Sequence, residues 1–426
     1  MNKLIREILF REEVNLSSTT YATHGLYFYP AKFIPHVVRY ALVNYTKEGD
    51  VVFDPFCGHG TVAIESSLLG RNAICWDLNP LAEVITRSAT FKGKLSLEDF
   101  ELDWKYSQKF EPRYSNIHYW YPPAFFETLS RLWGFWHNEI FSKARTEAEI
   151  SKAYVVAIPL FKISKLFSFA DEKIPKLYRS KRAIEKVRKL LDGDWEKKMQ
   201  QAYWKFAKEC HKKLREYQSL SPKSSGVVLK TSRKAGENLV VFDATKTAVS
   251  TQVDLLLTSP PYLQSQEYIR TFKLELAWLG YGDSDIRALT KCEIPYNNPE
   301  KTPILSETYE QFHLKVRSLE NPKLLQIYEK YFQSLAGFFS RNAPFLKKVA
   351  IFVGPAKIRN IRIPIDTILK EHLEKIGFRH VETLIDKIVA RRLFKTEKNP
   401  ATNLADERTP TEHLLVMVNE RWEGVA

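Results

Sequence analysis

The sequence predicts an α/β protein built on a doubly wound, mixed sheet, and three features support that fold class. Residues 51–54 form a short apolar run of the kind typical of a buried strand, and residues 61–69 have helical character after a glycine-containing turn. A second strand at residues 72–76 ends at Asp77. Apolar strands then resume far downstream. A strand, a turn, a helix and a strand that ends in an acidic residue form one βαβ unit of a doubly wound sheet.

The elements around this unit follow from local signals. The first strand is entered through the polar turn 47–50, and Gly70 ends the first helix. Pro364 and Gly377 bracket a further helix at residues 365–376. Strands are expected at residues 239–242, 253–257, 349–353, 380–389 and 413–418.

The sheet is predicted to be interrupted by a largely helical, basic insertion. Helix-like stretches occupy residues 183–191 and 195–218, and the polar linker 219–226 follows them. The predicted division is a first half of the core at residues 1–91, an inserted region at residues 92–236 and a second half of the core at residues 237–426.

Composition favours a polyanionic partner. The 426 residues include 44% hydrophobic residues, enough for a sizeable core, and carry a formal net charge of +14. The four cysteines show no metal-ligand spacing, so no metal site is expected. The N-terminus lacks a signal-peptide core, and no apolar run could span a bilayer. We expect a cytoplasmic protein that binds nucleic acid and not a membrane.

The positive charge is concentrated within the predicted insertion. Residues 173–234 contain 19 Lys and Arg against 6 Asp and Glu, which is nearly the excess of the whole chain. One interpretation is a surface that tracks phosphates, with interleaved aromatic groups that stack on bases. The alternative is a solvated helical face whose aromatic residues belong to the core. The candidate phosphate contacts are Lys181, Arg182, Arg188 and Lys189.

The turn after the first strand indicates a nucleotide-like ligand. Gly58 and Gly60 allow the backbone to approach a bound molecule closely, and Asp77 could accept hydrogen bonds from two ribose hydroxyls. A dinucleotide site is the main rival. Its third glycine is replaced by Ala63, and Asp54 with the following proline is not typical of such a site. A tight structural turn is the simpler alternative.

A second chemical motif, residues 258–262, follows the apolar run 253–257. Two consecutive prolines restrict the backbone, so the Ser259 hydroxyl and the Pro260 carbonyl could present two fixed acceptors to an exocyclic amino group. Tyr262 could stack on the base. Attack on carbon 5 of a pyrimidine would need a cysteine nucleophile, and no cysteine occupies such a turn. The motif therefore points to methylation of an amino nitrogen.

Together these motifs resemble the S-adenosylmethionine-dependent amino-methyltransferases of DNA. Residues 54–61 resemble the family's D-P-F-x-G-x-G-T element, and residues 77–80, 29–33 and 243–244 resemble its D-x-N-P, Y-P-A-K-F and D-A elements. The sequence Ser-Pro-Pro-Tyr at 259–262 is similar to the cytosine-N4 branch. The likeness covers residues 21–80 and 239–280, with a looser match at Glu407 and Arg408.

This resemblance implies a class I methyltransferase fold, which is Rossmann-like, and S-adenosylmethionine as the cofactor. It assigns catalysis to four residues, Ser259, Pro260, Pro261 and Tyr262. It assigns cofactor binding to Tyr29, Pro30, Lys32, Phe33, Asp54, Phe56, Gly58, Gly60, Thr61, Asp77, Asn79, Asp243 and Ala244.

The substrate remains open between DNA and RNA at this stage. The resemblance implies cytosine N4 in DNA, but the same turn could act on a cytidine in RNA, because it recognises an amino group and not a sugar. A catalytically inactive nucleic-acid-binding protein is a more remote alternative. After the turn, Arg270 and Lys273 lie one helical turn apart and could face a phosphate, or could form surface ion pairs.

Overall fold

A computed structural model of the chain describes residues 4–172, 174, 176–223, 226–263, 267–387 and 411–422. Its strands are β1 (Ile5–Ile8), β2 (Val51–Asp54), β3 (Asn72–Asp77), β4 (Val227–Thr231), β5 (Arg233–Ala235), β6 (Asn238–Val240), β7 (Leu255–Thr258), β8 (Lys348–Val353), β9 (Ala356–Ile358), β10 (Ile361–Ile363), β11 (Phe378–Lys387) and β12 (Thr411–Asn419). Its α-helices are α1 (Phe10–Glu13), α2 (Pro35–Tyr45), α3 (Thr61–Leu68), α4 (Pro80–Ala89), α5 (Ile117–Trp120), α6 (Pro123–Phe135), α7 (Glu147–Leu166), α8 (Lys181–Leu191), α9 (Trp195–Ser219), α10 (Tyr268–Thr271), α11 (Lys273–Trp278), α12 (Asp283–Thr290), α13 (Glu307–Arg317), α14 (Pro322–Asn342) and α15 (Ile365–Lys375).

Eight strands form one mixed sheet in the order β1-β11-β12-β8-β7-β2-β3-β4. Strand β12 runs antiparallel to β11 and β8, and the other neighbouring pairs are parallel. The chain builds outward from β2 through β3 to β4, and then returns to the other side of β2 with β7 and β8. The strand order therefore reverses between β2 and β7, which is where doubly wound sheets bind ligands.

Helices cover both faces of the sheet, and successive side chains of the central strands pack against opposite layers. Val52, Leu255 and Leu257 pack in a cluster with α2, whereas Phe53 and Leu256 pack in a cluster with α14 and α15. Successive side chains of a strand point to opposite faces, so two covered faces require apolar residues at consecutive positions. This requirement explains the nearly continuous apolar runs of β2 and β7.

The helices between β3 and β4 pack into a second core, which they share with residues 21–29, α3 and α10 to α12. Helix α7 packs against α4 and α9, and the cluster includes the fully buried Trp133, Trp136, Tyr203 and Tyr217. Helix α7 begins at a capping box in which Thr146 and Glu149 exchange hydrogen bonds. No helix within the described ranges has the length and apolar content needed to cross a membrane.

The predicted fold class is confirmed, with two differences in the strands. The β-strand next to β3 is β4, which lies inside the range 92–236 expected to be inserted. The expected strand at 239–242 is instead part of a small hairpin of β5 and β6 outside the main sheet. Strand β4 pairs on one edge only and has a half-exposed face, so its sequence Val-Val-Leu-Lys-Thr gives a weak strand signal. The division into three regions stays a prediction, and Glu407 and Arg408 lie outside the described residues.

Candidate active site

The loop after β2 is joined to the end of β7 through a buried carboxyl group. Asp54 Oδ1 accepts hydrogen bonds from the Thr258 hydroxyl at 2.7 Å and from the backbone N–H of Phe56 at 3.1 Å. Burial raises the pKa of Asp54 to about 7, and the two hydrogen bonds partly offset that rise. The cofactor-like loop and the Ser-Pro-Pro-Tyr turn are therefore linked directly, although about 200 residues separate them.

Two glycines of this loop occupy positions that a side chain could not. Gly58 and Gly60 have φ angles of 48° and 81° in the left-handed region. A Cβ atom on Gly58 would lie 2.9 Å from Cε1 of Tyr29, and one on Gly60 would lie 2.5 Å from Oγ1 of Thr86. The glycines thus permit both the backbone turn and the close approach of neighbouring elements.

Asp77, at the end of β3, holds the same loop from the other side. Its Oδ2 accepts from the N–H of Gly58 at 2.7 Å, and its Oδ1 accepts from the N–H of Asn79 at 2.8 Å. The Asn79 side chain in turn caps α4 by accepting from the N–H of Leu81. Burial raises the pKa of Asp77 to about 6. Each oxygen keeps a further lone pair for a hydroxyl donor.

The segment Tyr29 to Phe33 lies against the loop and is fixed by backbone contacts. Lys32 Nζ donates to the carbonyls of Thr19 and His24, each at 2.8 Å, and burial lowers the pKa of Lys32 to about 8. The Thr61 hydroxyl donates to the carbonyl of Phe33 at 3.0 Å. Thr61 thus joins α3 to this segment.

One cavity of about 880 Å³ brings most of the predicted residues together. The loop after β2, Asp77, the segment before α2, Asp243 and the Ser-Pro-Pro-Tyr turn all contribute to its wall. The predicted residues that line it are Tyr29, Pro30, Lys32, Phe33, Asp54, Phe56, Gly58, Asp77, Asn79, Asp243, Ala244, Ser259 and Pro261. The predicted residues that do not line it are Gly60, Thr61, Pro260 and Tyr262.

The side chain of Tyr262 is turned toward β12. Its hydroxyl donates to Oε1 of Glu412, and burial raises the pKa of that carboxyl group. Asp386 is the register partner of Glu412 on β11. The Ser-Pro-Pro-Tyr turn is therefore tied to the sheet at Tyr262, while Ser259 and Pro261 face the cavity.

Several cavity residues were not predicted as site residues. His59 lies in the loop after β2, where its Nε2 is 3.1 Å from the Tyr27 carbonyl oxygen and burial holds its pKa well below the ordinary value. Glu293 was missed because it lies in a polar stretch without a motif. The cavity is completed by Ala31, Cys57, Leu78, Thr245, Tyr268, Ile269, Cys292 and Ile294.

The predicted phosphate contacts lie outside this cavity. Lys181, Arg182, Arg188 and Lys189 are exposed on α8, where Arg182 pairs with Asp171 and Lys189 Nζ lies 3.6 Å from Glu185. On the segment after the turn, Arg270 pairs with Glu267 at 2.8 Å, and Lys273 is half-buried.

The aromatic residues of the basic region divide into two groups. Tyr203 and Tyr217 are fully buried and cannot stack on a base, whereas Tyr178 is exposed. Trp195 and Trp204 are partly buried against the helical core. The core interpretation therefore holds for the two buried tyrosines.

The reversal of strand order at β2 and β7, with a glycine loop and an acidic residue at successive strand ends, defines a class I methyltransferase fold. Residues 10–87 match the family profile described as DNA methylase. The chain is 25% identical over 295 residues to the type II methyltransferase M.BsoBI of Geobacillus stearothermophilus, and this match covers 65% of this chain and 57% of that relative. It is also 25% identical over 404 residues to the type II methyltransferase M.AvaI of Nostoc sp., which covers 84% of this chain and 79% of the relative.

The chain is therefore similar to DNA modification methylases, through the profile match near its N-terminus and through these two longer alignments. The shorter coverage of the first relative means that the chain aligns with little more than half of that protein. A local match to a tRNA (guanine(10)-N2)-dimethyltransferase of Methanocaldococcus jannaschii reaches 46% identity, but over only 55 residues and 12% of this chain.

Proposed function

We propose that this protein transfers a methyl group from S-adenosylmethionine to the exocyclic N4 amino group of cytosine in DNA. The observation that carries the proposal is the shared cavity. Gly58, Asp77 and Asp243 line one part of its wall, and Ser259 and Pro261 of the Ser-Pro-Pro-Tyr turn line another. A methyl donor and a base could therefore meet within one enclosure.

The residues of the cavity fit the proposed cofactor. Gly58 lines the cavity without a side chain, so a ligand can approach its backbone closely. Asp77 would accept from the ribose hydroxyls, Asp243 would face the adenine amino group, and the segment that contains Lys32 would cover the methionine end. When bound, the cofactor supplies an electrophilic methyl group on a sulfonium.

The turn after β7 would orient the amino group. The lone pair of cytosine N4 is delocalised into the ring, so the nitrogen must pyramidalise before it can act as a nucleophile. Ser259 lines the cavity, so its hydroxyl oxygen would accept one N–H group directly. Pro260 does not line the cavity, so its carbonyl would accept the second N–H group only after the turn shifts toward the base. Such positioning is worth roughly 7–11 kcal/mol in well-oriented systems. We assign Ser259 hydrogen bonding and not proton abstraction, and the proton leaves to water.

The basic helical region would bind the DNA backbone. The formal net charge of +14 and the exposed cations of α8 favour a polyanion. A base within a duplex cannot reach an enclosed cavity, so a duplex substrate requires the target cytosine to be flipped out of the stack. We propose residues 92–236 as the region that contacts the nucleic acid, excluding β4, which belongs to the sheet.

RNA is the second candidate substrate. The local match to a tRNA methyltransferase is the observation that favours it, and a single-stranded or looped RNA would avoid the cost of base flipping. The chemistry at the turn would be the same in both cases.

The test is a transfer assay with tritiated S-adenosylmethionine on duplex DNA, single-stranded DNA and ribosomal RNA side by side. We expect incorporation into DNA that is lost in Ser259→Ala. The variant Ser340→Ala, with its serine on α14, serves as the control, because Ser340 does not line the cavity. Incorporation into RNA alone would contradict the proposed substrate. No incorporation by a protein that binds the cofactor and DNA would contradict the proposed activity.

A further inference from the structure

Glu293 is a buried acid in the wall of the cavity, with one oxygen left without a partner. The residue is 7% exposed and lines the cavity beside Tyr268 and Ile269. Its Oε1 accepts from the N–H of Ile269 at 2.9 Å. Its Oε2 is fully buried and makes no hydrogen bond with any part of the chain that the structure describes. A buried polar atom without a partner is destabilising, so such an atom calls for a partner.

The position of this carboxyl group is fixed by its surroundings. The Glu293 carbonyl accepts from the N–H groups of Tyr296 at 2.6 Å and Asn297 at 2.8 Å. The buried Asn297 side chain then exchanges hydrogen bonds with Ser334 of α14. Since the backbone and Oε1 are both held, the free Oε2 cannot turn away without breaking these contacts.

Glu293 and Cys292 line the same cavity as Asp77 and Asp243. The acids that raise the pKa of Glu293 are Glu267 and then Asp77, and Asp243 raises the pKa of the adjacent Cys292. Asp77 and Asp243 are the two carboxylates expected to face the ribose and the adenine. Burial raises the pKa of Glu293 to about 8, so the group is mainly neutral at pH 7. Because Oε1 already accepts a hydrogen bond, the proton belongs on Oε2, which makes that atom a donor.

We propose that Glu293 is a further cofactor-binding residue, whose Oε2 donates a hydrogen bond to an acceptor atom of the adenosine half of S-adenosylmethionine. This inference rests on the proposed function. It adds a third acid to the adenosine part of the site, beside Asp77 and Asp243, from a part of the chain that follows the Ser-Pro-Pro-Tyr turn and carries no recognised motif.

The competing explanation is that Glu293 serves only to hold the start of α10. A purely structural acid of this kind exists elsewhere in the protein. Glu371 holds the start of α13, where its Oε2 accepts from Ser306 and from the N–H of Thr308, and its Oε1 accepts from the Thr308 hydroxyl. Both oxygens of Glu371 are used, whereas Oε2 of the cavity-lining Glu293 has no partner among the described residues. Glu371 is thus a matched control.

The test is isothermal titration calorimetry of S-adenosylmethionine, S-adenosylhomocysteine and adenosine. We expect Glu293→Met to bind all three roughly 10-fold more weakly, because the lost hydrogen bond lies in the half that they share. Glu293→Gln should bind within about threefold of the wild type, because its amide can donate from the position of Oε2. Glu371→Met should leave all three affinities unchanged.

Unchanged affinities in Glu293→Met, or an equal loss in Glu371→Met, would overturn the inference. If Glu293→Met fails to fold, a crystal structure of the wild-type protein with S-adenosylhomocysteine decides the matter. We expect Oε2 within about 3.2 Å of an adenosine nitrogen or oxygen, the range of ordinary hydrogen bonds. An Oε2 without a cofactor contact would overturn the inference. Failure of the wild type to bind any of the three ligands would instead count against the proposed function itself.

Discussion

The cavity at the ends of β2, β3 and β7 and the basic helices α8 and α9 differ in how the sequence specifies them. In the cavity, the acids are buried or partly buried, and each accepts from particular backbone groups, as Asp77 does from Gly58 and Asn79. On α8, the four predicted cations are exposed, and Arg182 and Lys189 each pair with one carboxylate, Asp171 and Glu185 respectively. The cavity therefore depends on which residues stand at particular positions, whereas the binding surface of the helices depends on their total charge. Single substitutions should therefore be severe in the cavity and mild on the helices.

The largest effect is expected for Asp77→Ala. This change leaves the N–H groups of Gly58 and Asn79 buried without an acceptor, each at a cost of about 1–3 kcal/mol, and removes the proposed ribose ligand. Affinity for S-adenosylmethionine, measured by calorimetry, should fall about 100-fold or more. Asp103→Ala is the control, because Asp103 accepts from the N–H of Lys105 in the same way on an exposed loop. Binding within threefold of the wild type would remove Asp77 from the site.

The next effect concerns stability and pH. Burial raises the pKa of Asp54 to about 7, above its ordinary value of about 4, so the folded state holds a proton that the unfolded state has lost. The contribution of Asp54 to the free energy of unfolding is therefore full below about pH 4 and is lost as the pH rises toward 7. In the wild type, the free energy of unfolding should fall between pH 5 and pH 8 as Asp54 ionises. In Asp54→Asn that fall should be smaller by on the order of 2 kcal/mol, as measured by urea unfolding at each pH. Asp103→Asn should show the same pH dependence of the free energy of unfolding as the wild type. The same result for Asp54→Asn would contradict the claim that Asp54 is a buried neutral acid.

A smaller effect is expected at the Ser-Pro-Pro-Tyr turn. Pro260→Ala frees the backbone that holds the carbonyl acceptor, and Tyr262→Ala removes the ring tied to Glu412. Each should lower turnover about 10-fold, on the order of 1.4 kcal/mol, with little change in cofactor affinity. Steady-state kinetics and calorimetry would measure the two quantities, with Pro364→Ala before α15 as the control. Normal turnover in both variants would refute the role of the turn.

The smallest effect per residue is expected on α8. Changing Lys181, Arg182, Arg188 and Lys189 to Ala together should weaken DNA binding by roughly tenfold or less and flatten its dependence on salt by up to about two units of log–log slope. The effect is limited because Arg182 and Lys189 already have acidic neighbours. Fluorescence anisotropy at several salt concentrations would measure it. The control changes four exposed cations outside this region, Lys315, Arg317, Lys323 and Arg359. An unaltered slope would make α8 a solvated face.

The sequence allowed the central strands and the residues of the cofactor loop to be predicted because their signals are local. The apolar run of β2, the left-handed glycines and the acid at the end of β3 each follow from a few neighbouring residues. The same holds for α8 and α9, whose predicted bounds differ from the observed ones by two residues or fewer.

Features that depend on distant parts of the chain could not be predicted. Strand β4 is recognised by its pairing with β3, which lies about 150 residues earlier. The burial of Tyr203 depends on the packing of α9 against α7 and on its hydrogen bond to the Phe100 carbonyl. Glu293 enters the cavity only because Ile269 and Asn297 hold it there. Periodicity and spacing carry no information about such contacts.

The most direct test of the central claim is mass spectrometry of nucleosides from duplex DNA treated with the protein and S-adenosylmethionine that carries a deuterated methyl group. The account predicts a labelled N4-methyl-deoxycytidine, absent from the reaction with Ser259→Ala. A label on carbon 5 of cytosine or on adenine N6 would contradict the assignment of the Ser-Pro-Pro-Tyr turn to cytosine N4.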